Sequence, residues 1–227
     1  MGHRDREECD VREVFQQELG EVRARLVELA SLVADSIQDA SAAFDESDIG
    51  LAERVIAGDR VIDAATATLD ELAIDILARQ QPVATDLRLV VSALRISASL
   101  ERMGDMAGHI AQLARYRFPE KVARKSLRPH FEELGRLDTA IARQLVDLLE
   151  TNDLDVAKQI QRDDDKVDAL RDAVLERMLG EKWKGEPMDT VDATLASRYY
   201  ERFADHAVKI AKKIEYLRDG EWVRPEA

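Results

Sequence analysis

At 227 residues and 45% hydrophobic content the chain has ample apolar material for a continuous core, and only 10 glycines and 5 prolines to interrupt helices. Its 33 basic and 46 acidic residues give a net charge of -13, the wrong sign for a phosphate backbone or an anionic headgroup. That balance argues against nucleic acid as a partner, and charges break every apolar segment well before membrane-spanning length, which argues against insertion in a bilayer.

Residues 1–9 read as a charged tail without the apolar stretch of a signal peptide. Cys9 is the sole cysteine, so neither an intramolecular disulfide nor a thiolate zinc site is available, and a cytoplasmic location is expected. A first helix is expected from about Asp10 to Phe44, on an apolar stripe through Leu19, Val22, Leu26, Leu29, Val33 and Ile37. Asp45-Glu46-Ser47-Asp48 supplies turn and N-cap chemistry. The second helix, with Leu51, Val55, Ile62, Leu69 and Ile76, stops at Gln80-Gln81-Pro82, because the residue before proline is pushed out of helical space. The third runs from about Ala84 to Tyr116 through Leu89, Ala93, Ile96, Leu100, Met103 and Ile110.

A basic, less periodic stretch between Pro119 and Pro129 holds the connector, residues 119–126. The pattern then restarts. Leu137, Ile141, Leu145 and Leu148 mark a fourth helix ended by Thr151-Asn152-Asp153. Val156, Ile160, Val167 and Val174 mark a fifth, and Ala196, Tyr200, Phe203, Ile210 and Leu217 a sixth, closed by Gly220. His3 and His130 fall in stretches expected to be irregular.

The second half repeats the first. Asp59 and Asp63 recur 105 residues later as Asp164 and Asp168. Glu101-Arg102-Met103-Gly104-Asp105 recurs 100 residues later as Glu201-Arg202-Phe203-Ala204-Asp205. Long helices joined by short turns pack antiparallel. The expected fold is therefore all-α: two tandem three-helix bundles, six long antiparallel helices, related by a pseudo-twofold. The first repeat covers residues 10–118, the second 127–218, and 219–227 form a second tail.

All four repeated elements place two acids four residues apart, one turn above each other on one helix face. Like charges so placed repel, by about 0.2–0.5 kcal/mol per pair, and a bound cation would reverse the sign. Asp59, Asp63, Glu101 and Asp105 form one candidate set, and Asp164, Asp168, Glu201 and Asp205 the other, all on flanks rather than in the core. His109 extends the column of Glu101 and Asp105 and is a further candidate metal ligand, whereas Lys209, itself a cation, occupies the matching position of the second half. The competing reading is that these acids are solvated or bridged by Arg60, Arg102, Lys166 and Arg202. No Glu-x-x-His follows Glu101 or Glu201, and neither a His-Glu-x-x-His nor a Gly-rich phosphate loop is present. A catalytic role is not expected.

Two three-helix repeats, with Asp-x-x-x-Asp on the second helix and Glu-Arg-x-x-Asp on the third, resemble the PhoU family of phosphate-signalling regulators. So does the stretch from Leu77 through Pro82 to Arg88. The resemblance implies a cytoplasmic negative regulator of phosphate uptake and of the phosphate-starvation response. Its partners would be the ATPase of a phosphate ABC transporter and a sensor histidine kinase, with a homodimer as a further form. It also implies divalent or ferric metal cations, with no organic cofactor, on the two acidic sets above. This chain departs from the family where Asn often follows the third-helix motif, having His109 and Lys209. The alternative reading is a metal-storage or metal-scaffold protein, for which the carboxylates are the whole purpose.

Overall fold

Six α-helices account for almost all of residues 3–219, the part of the chain that the computed structural model describes, with side chains from 14 to 218. They are α1 (His3–Glu46), α2 (Ile49–Gln80), α3 (Ala84–Arg117), α4 (Arg128–Thr151), α5 (Leu154–Leu179) and α6 (Pro187–Asp219). No strand forms among the described residues. None of these helices is long and apolar enough to cross a membrane.

Local chemistry sets most of the borders. Asp48 and Asp153 cap α2 and α5, each accepting a backbone N–H at 2.9 Å, from Leu51 and Asp155. The residues before them, Ser47 and Asn152, both take a left-handed conformation, with φ of 59° and 55°. The two halves thus turn alike, at positions 105 residues apart.

Two expectations need correction. Helix α1 starts at His3 rather than near Asp10, because nothing between Gly2 and Gly20 breaks a helix and the charged residues there are good helix formers. His130 is helical too, since Pro129 sits in the first turn of α4, where a missing N–H costs nothing. The connector between α3 and α4 is anchored to the core, with Val122, Ala123 and Leu127 buried. Gly220 and the side chains of His3 and Cys9 lie outside the described residues.

Within each half all three helices touch one another, and the halves meet along α1 against α4 and α3 against α6. Each joint pairs a helix with its own counterpart, as a twofold between duplicated units requires. The centre is therefore a four-helix arrangement of α1, α3, α4 and α6, with α2 and α5 laid on its flanks, and one hydrophobic cluster runs through both halves. Both joints are antiparallel. Along α1 and α4, Phe44 meets Phe131 with ring centroids 5.0 Å apart, and further down Asp35 pairs with Arg143 at 2.6 Å. Along α3 and α6, Arg117 bonds Asp189 at 3.0 Å and also Asp192, and His109 stacks on Tyr199 at 4.9 Å.

Helices α1 and α4 approach closely at Gly135, where a Cβ would lie 2.8 Å from Cβ of Ser41 and 2.9 Å from its Oγ. A larger side chain must push the helices apart. Gly135→Val is expected to destabilise by about 1–3 kcal/mol through overpacking, read from the urea midpoint. An unchanged midpoint would mean that the joint opens without cost.

Candidate functional site

The acidic sets lie where α2 packs on α3 and where α5 packs on α6. Gly104 makes the first approach close: a Cβ there would stand 3.1 Å from two carbons of Ile62 and 3.8 Å from Oδ1 of Asp59. The small residue on α3 thus lets the Asp59 face of α2 settle beside Asp105. Burial, followed by the charges of Asp63 and Asp105, pushes the Asp59 carboxyl above its ordinary pKa, with His109 acting the other way. These four residues therefore sense one another across the two helices. Asp63 is exposed, while Glu101, Asp105 and His109 are half-buried.

The second set is more deeply placed. Asp164 is pushed up to about 6, chiefly by burial and then by Asp168, Asp205, Asp165 and Glu201. Glu201 is only 7% exposed, which corrects its expected exposed flank position. Burial raises its pKa, opposed by the Arg198 guanidinium that contacts both of its oxygens.

Basic neighbours take up part of the acid. Arg102 pairs with Asp105 at 2.9 Å, as the competing reading expects, but Lys166 goes to Asp163 at 2.7 Å rather than to Asp164 or Asp168. Arg198, one turn before Glu201, is a partner that the spacing argument passed over. The ring of His109 lies against Tyr199 of the other half, and its Nδ1 is buried without a hydrogen-bond partner. Among the described residues no three His, Cys, Asp or Glu side chains stand close enough together to hold a metal ion as they are placed. The repulsion on Asp59 is offset in part by His109, while four neighbouring acids raise Asp164.

Behind the second set lies a residue that periodicity missed. Asp138 on α4 is fully buried, and neither carboxylate oxygen has a hydrogen-bond partner. Burial and then Asp164 raise its pKa well above the ordinary carboxylate range. One signal was available. The 105-residue displacement sets Asp138 against Val33, a core position.

Fold and acidic faces together define a duplicated six-helix protein with carboxylates facing one another between the second and third helix of each half. The PhoU domain profile matches it twice, over residues 26–114 and 131–214. The chain belongs to the PhoU family. It is 35% identical over 210 residues to the phosphate-specific transport system accessory protein PhoU homolog 2 of Mycobacterium tuberculosis, covering 92% of this chain and 99% of that one. The crystal structure of PhoU from Pseudomonas aeruginosa superimposes with a TM-score of 0.83 at 29% identity, over 91% of this chain and 100% of that one. The phosphate transport system regulatory protein PhoU from Streptococcus pneumoniae gives 0.82 at 26% identity, over 92% and 99%.

Proposed function

We propose that this chain is a non-enzymatic, cytoplasmic accessory protein of phosphate transport. It restrains phosphate uptake and the phosphate-starvation response by bridging a phosphate ABC transporter ATPase and a sensor histidine kinase. The observation that carries this reading is the similarity, across 92% of the chain, to relatives named as phosphate-specific transport system accessory proteins. An adaptor conveys information only through a difference in affinity for a partner's two states. Two like halves joined back to back offer two like docking faces, which suits a bridge. Deleting the gene in its host is expected to derepress phosphate uptake and starvation genes while phosphate is plentiful, and the purified chain is expected to retain the transporter ATPase in a pull-down. Normal uptake and normal starvation-gene expression in the deletion strain would sink the proposal.

The acidic faces would hold divalent or ferric cations, through Asp59, Asp63, Glu101 and Asp105 in the first half and Asp164, Asp168, Glu201 and Asp205 in the second. A bound cation would supply the positive charge that these carboxylates lack. Such binding stabilises the native chain by mass action, by about 2.7 kcal/mol at a hundred times Kd. For a chain of this size that raises Tm by roughly 5–10 °C. Chelator is expected to reverse the gain, and Asp63→Asn with Asp105→Asn to abolish the first half's share. Because Asp164 holds its proton up to about pH 6, cation uptake by the second half should weaken as pH falls below that value. Melting curves that ignore both chelator and added cation would count against these sites.

A further inference from the structure

The displacements that relate the acid pairs also relate the two ends of the four-helix centre, and the ends are not equally filled. A shift of 105 residues carries Phe44 onto Leu149 and Leu26 onto Phe131. A shift of 100 carries Leu89 onto Asp189 and Arg117 onto Leu217. At the Phe44 end, the two phenyl rings meet at 5.0 Å and Arg117 bonds Asp189 at 3.0 Å, so the bundle closes. At the opposite end both rings are replaced by leucine, and the ion pair by Leu89 and Leu217, which can neither fill the space nor tie the helices together. What remains is a cavity of ≈ 250 Å³, lined by these leucines and Ile214.

Two further lining residues are the exposed Arg23 and Arg218, which therefore stand at its open side. Arg218 also lies near enough to Asp155 to help hold that exposed carboxyl below its ordinary pKa, after Lys158. On a chain of net charge -13, two guanidinium groups beside an apolar hole offer a place for an anionic head. An apolar cavity of about 150 Å³ takes a benzene molecule, and the same scale allows about ten carbons here.

We propose that this cavity binds a free monocarboxylate with an unbranched apolar chain of about ten carbons. The chain lies among Leu26, Leu89, Leu149 and Ile214, and the carboxylate is held by Arg23 and Arg218. Two acyl chains of a phospholipid would exceed the space, which favours the free acid. The proposal does not depend on the phosphate role.

Calorimetric titration of the full chain with decanoate and with 1-decanol tests it. Decanoate is expected to bind at one saturable site, and decanol more weakly. Leu26→Phe with Leu149→Phe copies the filled end, so it should leave the fold intact while lowering decanoate affinity by about tenfold or more, because the acyl chain loses its space. Arg23→Gln with Arg218→Gln, both on the surface, should weaken decanoate by about tenfold and leave decanol unchanged, since only a carboxylate makes the charge-assisted bonds. Four outcomes overturn the proposal: no saturable binding of decanoate; equal binding by the phenylalanine variant; decanol binding as tightly as decanoate; or binding seen only after residues 220–227 are removed, which would make the chain's own end the occupant.

Discussion

Phe131→Ala is expected to lower the unfolding free energy by about 3–5 kcal/mol, the cost of truncating a fully buried aromatic ring. For a chain of this length that is a fall in Tm of roughly 6–20 °C. Phe131 is 0% exposed and packs against Phe44 and Tyr200, with centroid separations of 5.0 Å and 6.3 Å. Tyr200 in turn donates its hydroxyl to Oγ of Ser41 at 3.3 Å, so residues of α1, α4 and α6 are joined at one spot. The loss therefore falls on the contact between the halves rather than inside one of them. Phe131→Leu is the informative companion: it reproduces Leu26, its counterpart at the open end, and should cost less because part of the volume remains. Urea unfolding followed by circular dichroism measures both. A loss under about 1 kcal/mol for Phe131→Ala would show that the rings do not hold the joint.

Asp138→Val is expected to stabilise the protein at neutral pH, by about 1–3 kcal/mol, the usual cost of a buried polar group without partners. Both oxygens of Asp138 are buried and unpaired, and its pKa is raised, first by burial and then by Asp164. The sign follows from linkage. Below the unfolded value, near 3.9, the carboxyl is protonated in both states and its ionisation contributes nothing. As pH rises above that value the unfolded chain releases the proton and the folded one retains it. Stability is then lost at up to about 1.4 kcal/mol per pH unit until the folded pKa is reached. The advantage of the valine should therefore grow as pH rises above about 4 and level off once the folded pKa is passed. Valine fits the space by the protein's own precedent, since Val33 occupies the equivalent core position at 1% exposure. A stability difference that does not change with pH would mean that Asp138 has a partner in the folded chain.

Much of the architecture was open to inspection in the residues alone, because the forces that set it are local. Asp48, Asp153 and Pro82 end or begin helices through bonds and clashes within a few residues, and the borders at Ile49, Gln80 and Thr151 follow from them. The stripes through Leu19, Val22, Leu26, Leu29 and Val33 and through Ile96, Leu100, Met103 and Ile110 are buried throughout, since helical period alone decides which face is apolar. The duplication was equally plain. Two displacements, 105 and 100 residues, carry acids onto acids and core onto core. Arg102 beside Asp105 could likewise be anticipated, being a neighbour within one turn.

What lay beyond the sequence concerns which faces meet and how much water they exclude. Periodicity says that α1 and α3 each have an apolar face, but not that the halves join α1 to α4 and α3 to α6. That choice decides which residues stack across the joint, and so places His109 on Tyr199. Glu101 and Glu201 occupy the same place in the repeat, yet Glu201 is buried while Glu101 stays half-exposed. Asp138 looked like one more acid among 46 until packing sealed it behind Asp164. Helical period and capping act over a few residues and can be read along the chain. Desolvation and close approach depend on neighbours a hundred residues away, so only the packed tertiary structure settles them.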